Sequence, residues 1–251
     1  DEFTLLSWSS TIKGAVNPNS EPVMTNAVPT YATWHTEPQG DIAMAESHSP
    51  YWRHFIETVP ERDFSSKTIL DFGCNRGGFL RLLHAMRPFR LGVGIDIASE
   101  SVAAAIAAVG NMPLQFHLTT DLTPFADSFD VAFSYEVIYL LPELKRHAEQ
   151  MFEVMRNGGV YYAVTGCHNE MPLWPKWLEL IGNNSNAPVQ DRSPQDYIDA
   201  FTAAGFDVSV KRFGYDGFVR ATKDRKYYPS ILDALSYPAE YKLLFRLEKR
   251  V

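Results

Sequence analysis

The stretch ILDFGCNRGGFLRLL, residues 69–83, decides the fold of this chain. Its first four residues form the short apolar run of a buried strand, and its last five continue as a helix. Between them lies a turn with Gly73, Asn75 and Gly77 at alternate positions. Asparagine adopts positive φ more readily than other residues that carry a Cβ, so this turn can still bend tightly. A strand, a glycine-rich turn and a helix in this order predict a loop whose backbone a nucleotide-bearing ligand approaches closely.

Strand and helix patterns alternate on the C-terminal side of this loop. Helical patterns follow Ser99, which is expected to cap residues 102–109, and occupy residues 143–156 and the segment after Ser193. Further strands are predicted at residues 91–95, 114–118, 129–134, 160–164, 206–212 and 241–247. This alternation predicts an α/β fold, with a doubly wound, mostly parallel seven-stranded sheet and helices on both faces.

The chain divides into a short N-terminal part and one main domain. Residues 1–60 are expected to form an arm and a helical cap, because the first 30 residues show no sustained period and a helical apolar pattern follows Pro50. Residues 61–251 form the domain, with aromatic-rich lid insertions near residues 166–192 and 213–240. Both insertions are expected to cover the carboxyl ends of the strands, where open α/β sheets bind ligands.

Composition excludes several classes of function. Hydrophobic residues make up 45% of the chain, which is typical of a globular protein, and the formal net charge of −7 makes a nucleic-acid partner unlikely. The two cysteines, Cys74 and Cys167, form no CxxC pair, so neither a zinc site nor a disulfide framework is expected. Free thiols and the absence of a long apolar run predict a cytoplasmic protein without a membrane span. The sequence gives no indication of the oligomeric state.

Several segments together resemble the class I S-adenosylmethionine-dependent methyltransferases. ILDFGCNRGG resembles the first motif of that family, an acid followed by glycines at alternate positions. Asp96 ends the second strand, where the family places an acid on the ribose, and Asp121 in TTDL matches the acid that binds the adenine amine. FDVAFSYEVIYLL and MRNGGVYYAV resemble the fourth strand and the turn into the fifth. The resemblance extends over residues 69–164 and implies a Rossmann-like fold with S-adenosylmethionine as cofactor.

The resemblance also implies which residues hold the cofactor. A carboxylate can accept hydrogen bonds from both ribose hydroxyls, and another can accept one from the adenine amine. Arg53, upstream of the loop, is expected to reach the cofactor's carboxylate. The residues expected at the cofactor are Arg53, Asp71, Gly73, Cys74, Asn75, Gly77, Asp96, Ile97, Asp121, Leu122 and Ser134.

Each of these assignments has an alternative. Asp71 could cap its own loop, Asp96 could cap a helix, and Arg53 could be an ordinary surface arginine. Cys74 has no activating neighbour in the sequence and fits a small buried residue. NAD is the competing cofactor, because its binding fingerprint also places an acid about 20 residues after the glycines. The missing GxGxxG pattern counts against NAD.

The sequence determines the acceptor site less well. Methyl transfer is an in-line displacement that requires positioning and exclusion of water more than one obligatory set of residues. The resemblance places the loop after the fourth strand opposite the methyl group, so Tyr135 and Tyr139 are expected to line the acceptor pocket. Glu136 is expected to bind the acceptor or to join a surface ion pair. Because Tyr139 stands where many relatives have histidine, the expected base is His168, with a solvated loop side chain as the alternative.

These patterns predict methyl transfer to an oxygen or nitrogen of a small organic acceptor. The aromatic insertions suit an enclosed small-molecule pocket. Two alternatives remain at this level: a tRNA or protein methyltransferase, which needs an open basic or elongated groove, and a non-catalytic S-adenosylmethionine-binding partner protein.

Overall fold

The computed structural model describes residues 30–221 and 226–250. The predicted N-terminal arm therefore lies almost entirely outside the described residues. Seven strands form one sheet in the order β3-β2-β1-β4-β5-β7-β6. The strands are β1 (Phe64–Phe72), β2 (Phe89–Asp96), β3 (Leu114–Leu118), β4 (Phe129–Tyr135), β5 (Met155–Thr165), β6 (Asp207–Arg212) and β7 (Leu243–Glu248). The predicted seven-stranded Rossmann-like sheet is confirmed.

The strand directions bring the predicted cofactor residues to one edge of the sheet. Strands β1 to β5 pair in parallel, whereas β7 is antiparallel to both β5 and β6. The chain crosses from β3 back to β4, which pairs with β1, so the strand order reverses between β1 and β4. Ligands of open α/β sheets bind at the carboxyl ends of the strands beside such a switch point.

Helices cover both faces of the sheet. They are α1 (Pro38–Thr58), α2 (Gly78–Met86), α3 (Ser99–Ala107), α4 (Leu144–Val154), α5 (Trp174–Asn184), α6 (Pro194–Ala203) and α7 (Ile231–Ser236), and a π-helical turn follows at Tyr237–Tyr241. Alternate strand residues enter separate apolar cores, so Tyr161 packs with Phe201 on one face and Tyr162 with Phe133 on the other. No helix in the described ranges is long and apolar enough to cross a membrane.

Of two helix starts expected from the sequence, the structure confirms one and contradicts the other. The helix predicted after Ser193 is confirmed, and it begins with a capping box: the Ser193 side chain accepts from the Asp196 N–H, and the Asp196 side chain accepts from the Ser193 N–H. The predicted cap at Ser99 is wrong, since Ser99 is already helical. The first N–H groups of α3, those of Ser99 and Glu100, instead donate to the Tyr31 and Ala32 carbonyls at 2.7 and 2.9 Å.

The N-terminal helix is longer than expected. It begins at Pro38 and continues through Pro50, which the sequence suggested as a helix start. Before it runs the N-terminal strap, residues 30–37. The Tyr31 N–H donates to the Ile97 carbonyl at 3.1 Å, and the Thr36 N–H donates to the Asn184 carbonyl at 2.9 Å. The strap therefore joins the start of α3 to the end of α5.

Candidate active site

The glycine loop joins β1 to α2 and bends at the three predicted positions. Gly73, Asn75 and Gly77 have φ values of 78°, 46° and 70°, all in the left-handed region. A side chain at Gly73 would collide with Val137, and one at Gly77 would meet the ring of Phe116 at 2.5 Å. Glycine is therefore required at both ends of the turn, while Asn75 supplies the middle position as predicted.

Asp96 holds this loop in place. One carboxylate oxygen accepts the Asn75 N–H at 2.7 Å, and the other accepts the Ala98 N–H. The bond to Ala98 orders the turn that leads into α3, but the helix itself has no side-chain N-cap, so the cap role that the sequence left open for Asp96 is not seen. A carboxylate is also the kind of acceptor that ribose hydroxyls require.

Asp71 carries an unsatisfied oxygen at the base of the loop. Its side chain is 3% exposed, and its Oδ2 has no hydrogen-bond partner within the described part of the chain. Burial raises the pKa of this carboxyl well above its usual value, and the nearby charge of Asp96 raises it further. A buried acceptor without a donor is unfavourable, and the ammonium group of S-adenosylmethionine is a donor of the right charge. The residues present therefore fit this cofactor.

The remaining predicted cofactor residues occupy varied positions. Asp121 is exposed beyond the end of β3, and hydrogen bonds from Thr123 lower its pKa. Leu122 and Ser134 are fully buried, and Ile97 contacts the strap through its carbonyl. Cys74 is buried, and burial raises the pKa of its thiol, in keeping with a packing residue.

The structure does not bring Arg53 to the glycine loop. The Arg53 side chain is exposed, and its Nη1 donates to Sδ of Met86 at the far end of α2, with 3.7 Å between the atoms. Its neighbour Trp52 reaches the loop instead, because a Cβ on Gly78 would lie 2.8 Å from the Trp52 ring. A role for Arg53 at the cofactor's carboxylate stays a prediction.

At the end of β4, Glu136 forms a buried ion pair. Its backbone is left-handed, with φ 55°, and its Oε1 accepts from Lys242 Nζ and from the Tyr237 hydroxyl, each at 2.9 Å. Its Oε2 accepts from the Thr165 hydroxyl and the Gly166 N–H, each at 3.2 Å. Burial alone would raise the pKa of Glu136, but Lys242 and these donors hold it below its usual value. The expected surface ion pair is therefore a buried one.

Lys242 is the residue of this site that the sequence did not reveal. It is 3% exposed, and its Nζ also donates to the Tyr135 hydroxyl at 2.7 Å. Four aromatic rings surround the ammonium at 4.7 to 5.7 Å, those of Tyr51, Tyr135, Phe213 and Tyr237. Such rings stabilise a buried cation through their negative faces. In the sequence, Lys242 stands out only as a single lysine at the start of an apolar strand pattern.

Tyr139 and His168 are both buried, at 4% and 3% exposure. Nε2 of His168 lies 2.8 Å from the Tyr241 carbonyl, which can only accept, so this nitrogen carries the proton. Its Nδ1 is buried and has no partner among the residues described. His168 is therefore not the solvated side chain of the alternative interpretation, and its role as a base stays a prediction.

The two insertions pack on each other above the β4 and β5 ends. Trp177 of α5 donates its indole N–H to the Tyr227 carbonyl at 2.9 Å and contacts the Tyr237 ring, with 4.5 Å between centroids. The Tyr237 hydroxyl then binds Glu136. Both insertions thus contribute to the cover over this edge of the sheet.

A sequence model described as a methyltransferase domain matches residues 44–211. The chain is 26% identical over 106 residues to a ubiquinone biosynthesis O-methyltransferase of Mesorhizobium japonicum, covering 41% of this chain and 43% of the relative. It is 25% identical over 148 residues to a phthiotriol/phenolphthiotriol dimycocerosates methyltransferase of Mycobacterium tuberculosis, covering 56% and 54%. The chain thus matches about half the length of these curated relatives.

The fold has close structural relatives as well. A chain from the solved complex between the Haloferax volcanii Trm112 methyltransferase activator and a methyltransferase superposes with a TM-score of 0.72. That match has 22% identity and covers 85% of this chain and 95% of the other. At this identity the likeness establishes the fold.

Proposed function

This chain belongs to the methyltransferase-domain family, and we propose that it transfers the methyl group of S-adenosylmethionine, the cofactor of that family, to an oxygen or nitrogen of a small organic acceptor. The observation that carries the proposal is the unsatisfied Oδ2 of Asp71 beneath a left-handed glycine loop. A phosphate-bearing dinucleotide has no use for a buried carboxyl there, whereas a cofactor with an ammonium group can donate to it and stabilise its charged form.

Each part of the cofactor has a partner of suitable chemistry in this chain. When bound, S-adenosylmethionine supplies a methyl group activated by positively charged sulfur. Asp71 would pair with the ammonium, Asp96 would accept from the ribose hydroxyls, and Asp121 would accept from the adenine amine. The glycine loop lets the cofactor lie against the backbone, and the strap is bonded to the Ile97 carbonyl next to Asp96.

The cover over the β4 and β5 ends supports a small acceptor. Tyr135 and Glu136 are held there by Lys242, within a wall of aromatic side chains. An aromatic enclosure with few polar groups is typical of a small-molecule pocket, and the net charge of −7 disfavours RNA. The Mesorhizobium relative is named an O-methyltransferase, which supports oxygen as the atom that receives the methyl group.

We also propose a cytoplasmic location. Cys74 and Cys167 are both buried as free thiols, which suits a reducing compartment.

Incubation of the protein with methyl-labelled S-adenosylmethionine tests the proposed function. Small phenols, amines and carboxylic acids are supplied as acceptors, with bulk tRNA and a protein extract in separate reactions. Label in a small molecule, together with release of S-adenosylhomocysteine, is the expected result. Label confined to tRNA or protein would contradict the small acceptor, and cofactor binding without any product would identify a non-catalytic partner protein.

A further inference from the structure

His48 lies between the cofactor loop and the acceptor side. It is on α1, one turn before Trp52, and its ring meets the Trp52 ring edge-on with 6.0 Å between centroids. On its other side it meets the Tyr135 ring edge-on, at 5.2 Å. Because Trp52 contacts the loop at Gly78 and Tyr135 ends β4, His48 lies between the cofactor loop and the carboxyl end of β4.

The ring nitrogens of His48 are available. Nε2 of His54, His147 and His168 each bonds to an oxygen of the chain. His48, by contrast, has ring contacts but no hydrogen bond to any residue that the structure describes. Its side chain is half-buried, so a proton on this ring has a route to water.

The surroundings keep the His48 ring neutral. Burial lowers the pKa of His48 to about 4, Lys242 lowers it as well, and Glu136 opposes the shift. The other titratable groups of this region are Tyr51 on the same helix, Tyr135 on β4 and Tyr215, which packs on Tyr51. Near pH 7 the imidazole is therefore neutral, and one of its nitrogens carries a lone pair that can accept a hydrogen bond from a hydroxyl.

We propose that His48 is the base that takes the acceptor's proton, and that the acceptor is an aromatic hydroxyl compound lying against the rings of Trp52 and Tyr135. This inference rests on the proposed function and names its substrate class. A planar acceptor suits the aromatic wall, because rings pack edge-on or offset against one another. A weak base also selects for an acidic hydroxyl, and a phenol releases its proton far more readily than an alkanol.

The step balances in atoms and charge. The phenol oxygen forms a bond to the methyl carbon while the carbon–sulfur bond breaks and leaves its electron pair on sulfur. The oxygen–hydrogen bond breaks, and the proton passes to a ring nitrogen of His48 and then to water. The products are an aryl methyl ether, neutral sulfur in S-adenosylhomocysteine, and one proton. His168 is less suited to this step, because its unpaired Nδ1 is buried and a proton there has no route to water.

The test uses phenol, catechol and 4-hydroxybenzoate as acceptors, with cyclohexanol as the alkanol control. The full chain is compared with His48→Gln, and with His84→Gln as the matched control, since His84 is also half-buried and meets Phe89 edge-on at 4.9 Å. Methyl ether and S-adenosylhomocysteine are quantified by mass spectrometry. S-adenosylhomocysteine affinity is measured by calorimetry for each variant.

The wild type and His84→Gln are expected to methylate at least one phenol and not cyclohexanol. His48→Gln is expected to lose about 100-fold or more in kcat. Its affinity for S-adenosylhomocysteine should change by less than about threefold, which shows that it folds. Added imidazole is expected to raise the turnover of His48→Ala at least about tenfold. Repacking of the aromatic side chains around position 48 cannot produce such a gain.

Methylation of no phenol by a protein that binds S-adenosylhomocysteine would overturn the proposal. Unchanged turnover in His48→Gln would also overturn it. A loss of turnover in His168→Gln as large as that in His48→Gln would do the same if imidazole also fails to restore the turnover of His48→Ala. Failure of the wild type to bind S-adenosylhomocysteine would instead refute the proposed function itself.

Discussion

The backbone N–H of Asn75 donates a hydrogen bond to Oδ2 of Asp96, with 2.7 Å between the two atoms. This bond ties the middle of the glycine loop to the end of the second strand. It also explains why the loop works without a third glycine, because Asn75 is held in a left-handed conformation and its own Oδ1 accepts the Arg76 N–H at 2.7 Å. The two parts of the cofactor site are thus connected within the protein itself.

Because Asn75 has a left-handed conformation, the effect of substituting it on the free energy of unfolding should depend on the new residue. Asn75→Gly should leave the free energy of unfolding within about 0.5 kcal/mol of wild type, because glycine adopts positive φ freely. Asn75→Val should lower it by about 1–2 kcal/mol, since a β-branched residue is strained there. Urea denaturation of both variants measures the difference, and equal stability of the two would contradict the left-handed loop.

Asp71 should strengthen cofactor binding but lower the free energy of unfolding of the unliganded protein. Because the folded-state pKa of Asp71 is raised, its contribution to stability is favourable below the unfolded value near 3.8 and is lost as pH rises. Asp71→Asn should therefore raise the free energy of unfolding at pH 7 by about 1 kcal/mol or more. The same substitution should weaken S-adenosylhomocysteine binding at least about tenfold.

Thermal denaturation and calorimetry of Asp71→Asn check both effects. Asp199→Asn, an exposed acid on α6, is the control and should change neither quantity. A destabilised Asp71→Asn with normal affinity would show that Asp71 only caps its loop.

The effects of substituting Lys242 and Glu136 on the free energy of unfolding should be strongly coupled. Lys242→Met leaves a buried carboxylate without its cation and should cost about 3–5 kcal/mol of unfolding free energy. In the double variant Lys242→Met with Glu136→Gln, much of that loss should be recovered, because no isolated charge remains buried. Urea denaturation of the single and double variants measures the coupling. Lys211→Met, at an exposed position of β6, should be close to neutral, and strictly additive losses at Lys242 and Glu136 would contradict the buried pair.

The buried ring of His147 is expected to make the protein less stable in acid. Its ring is buried beside Phe72, and burial lowers its pKa to about 3. Because the unfolded chain binds this proton near pH 6.5, the stability from neutral His147 is complete above that pH and decreases as pH falls toward 3. The expected slope is about 1.4 kcal/mol per pH unit. Urea denaturation of His147→Gln between pH 7 and pH 5 should show a slope shallower than wild type, by an amount that approaches this value toward pH 5, and parallel slopes would contradict the assignment.

The sheet and the cofactor loop could be predicted because their determinants are local. Each strand is a short apolar run, and Asp71 and Asp96 lie at strand ends, which parallel pairing brings to one edge. The bend at Asn75 also follows from residue type. These features need no knowledge of distant contacts.

The acceptor side could not be predicted because it depends on contacts far apart in the sequence. Lys242 meets Tyr135 only because antiparallel β7 lies next to β5 and brings the start of the strand to the end of β4. The side of α1 that reaches the cofactor loop is set by packing, so Trp52 contacts the loop at Gly78 whereas Arg53 meets Met86. His48 lay outside the predicted helix, because Pro50 suggested a helix start and the helix in fact begins at Pro38.

Calorimetric titration with S-adenosylhomocysteine, with NAD in parallel, tests the central claim most directly. The wild type should bind S-adenosylhomocysteine with micromolar affinity and NAD not at all, and Asp96→Ala should lose the binding because the ribose hydroxyls lose their acceptor. Binding of NAD without binding of S-adenosylhomocysteine would contradict the account and make the glycine loop a dinucleotide site.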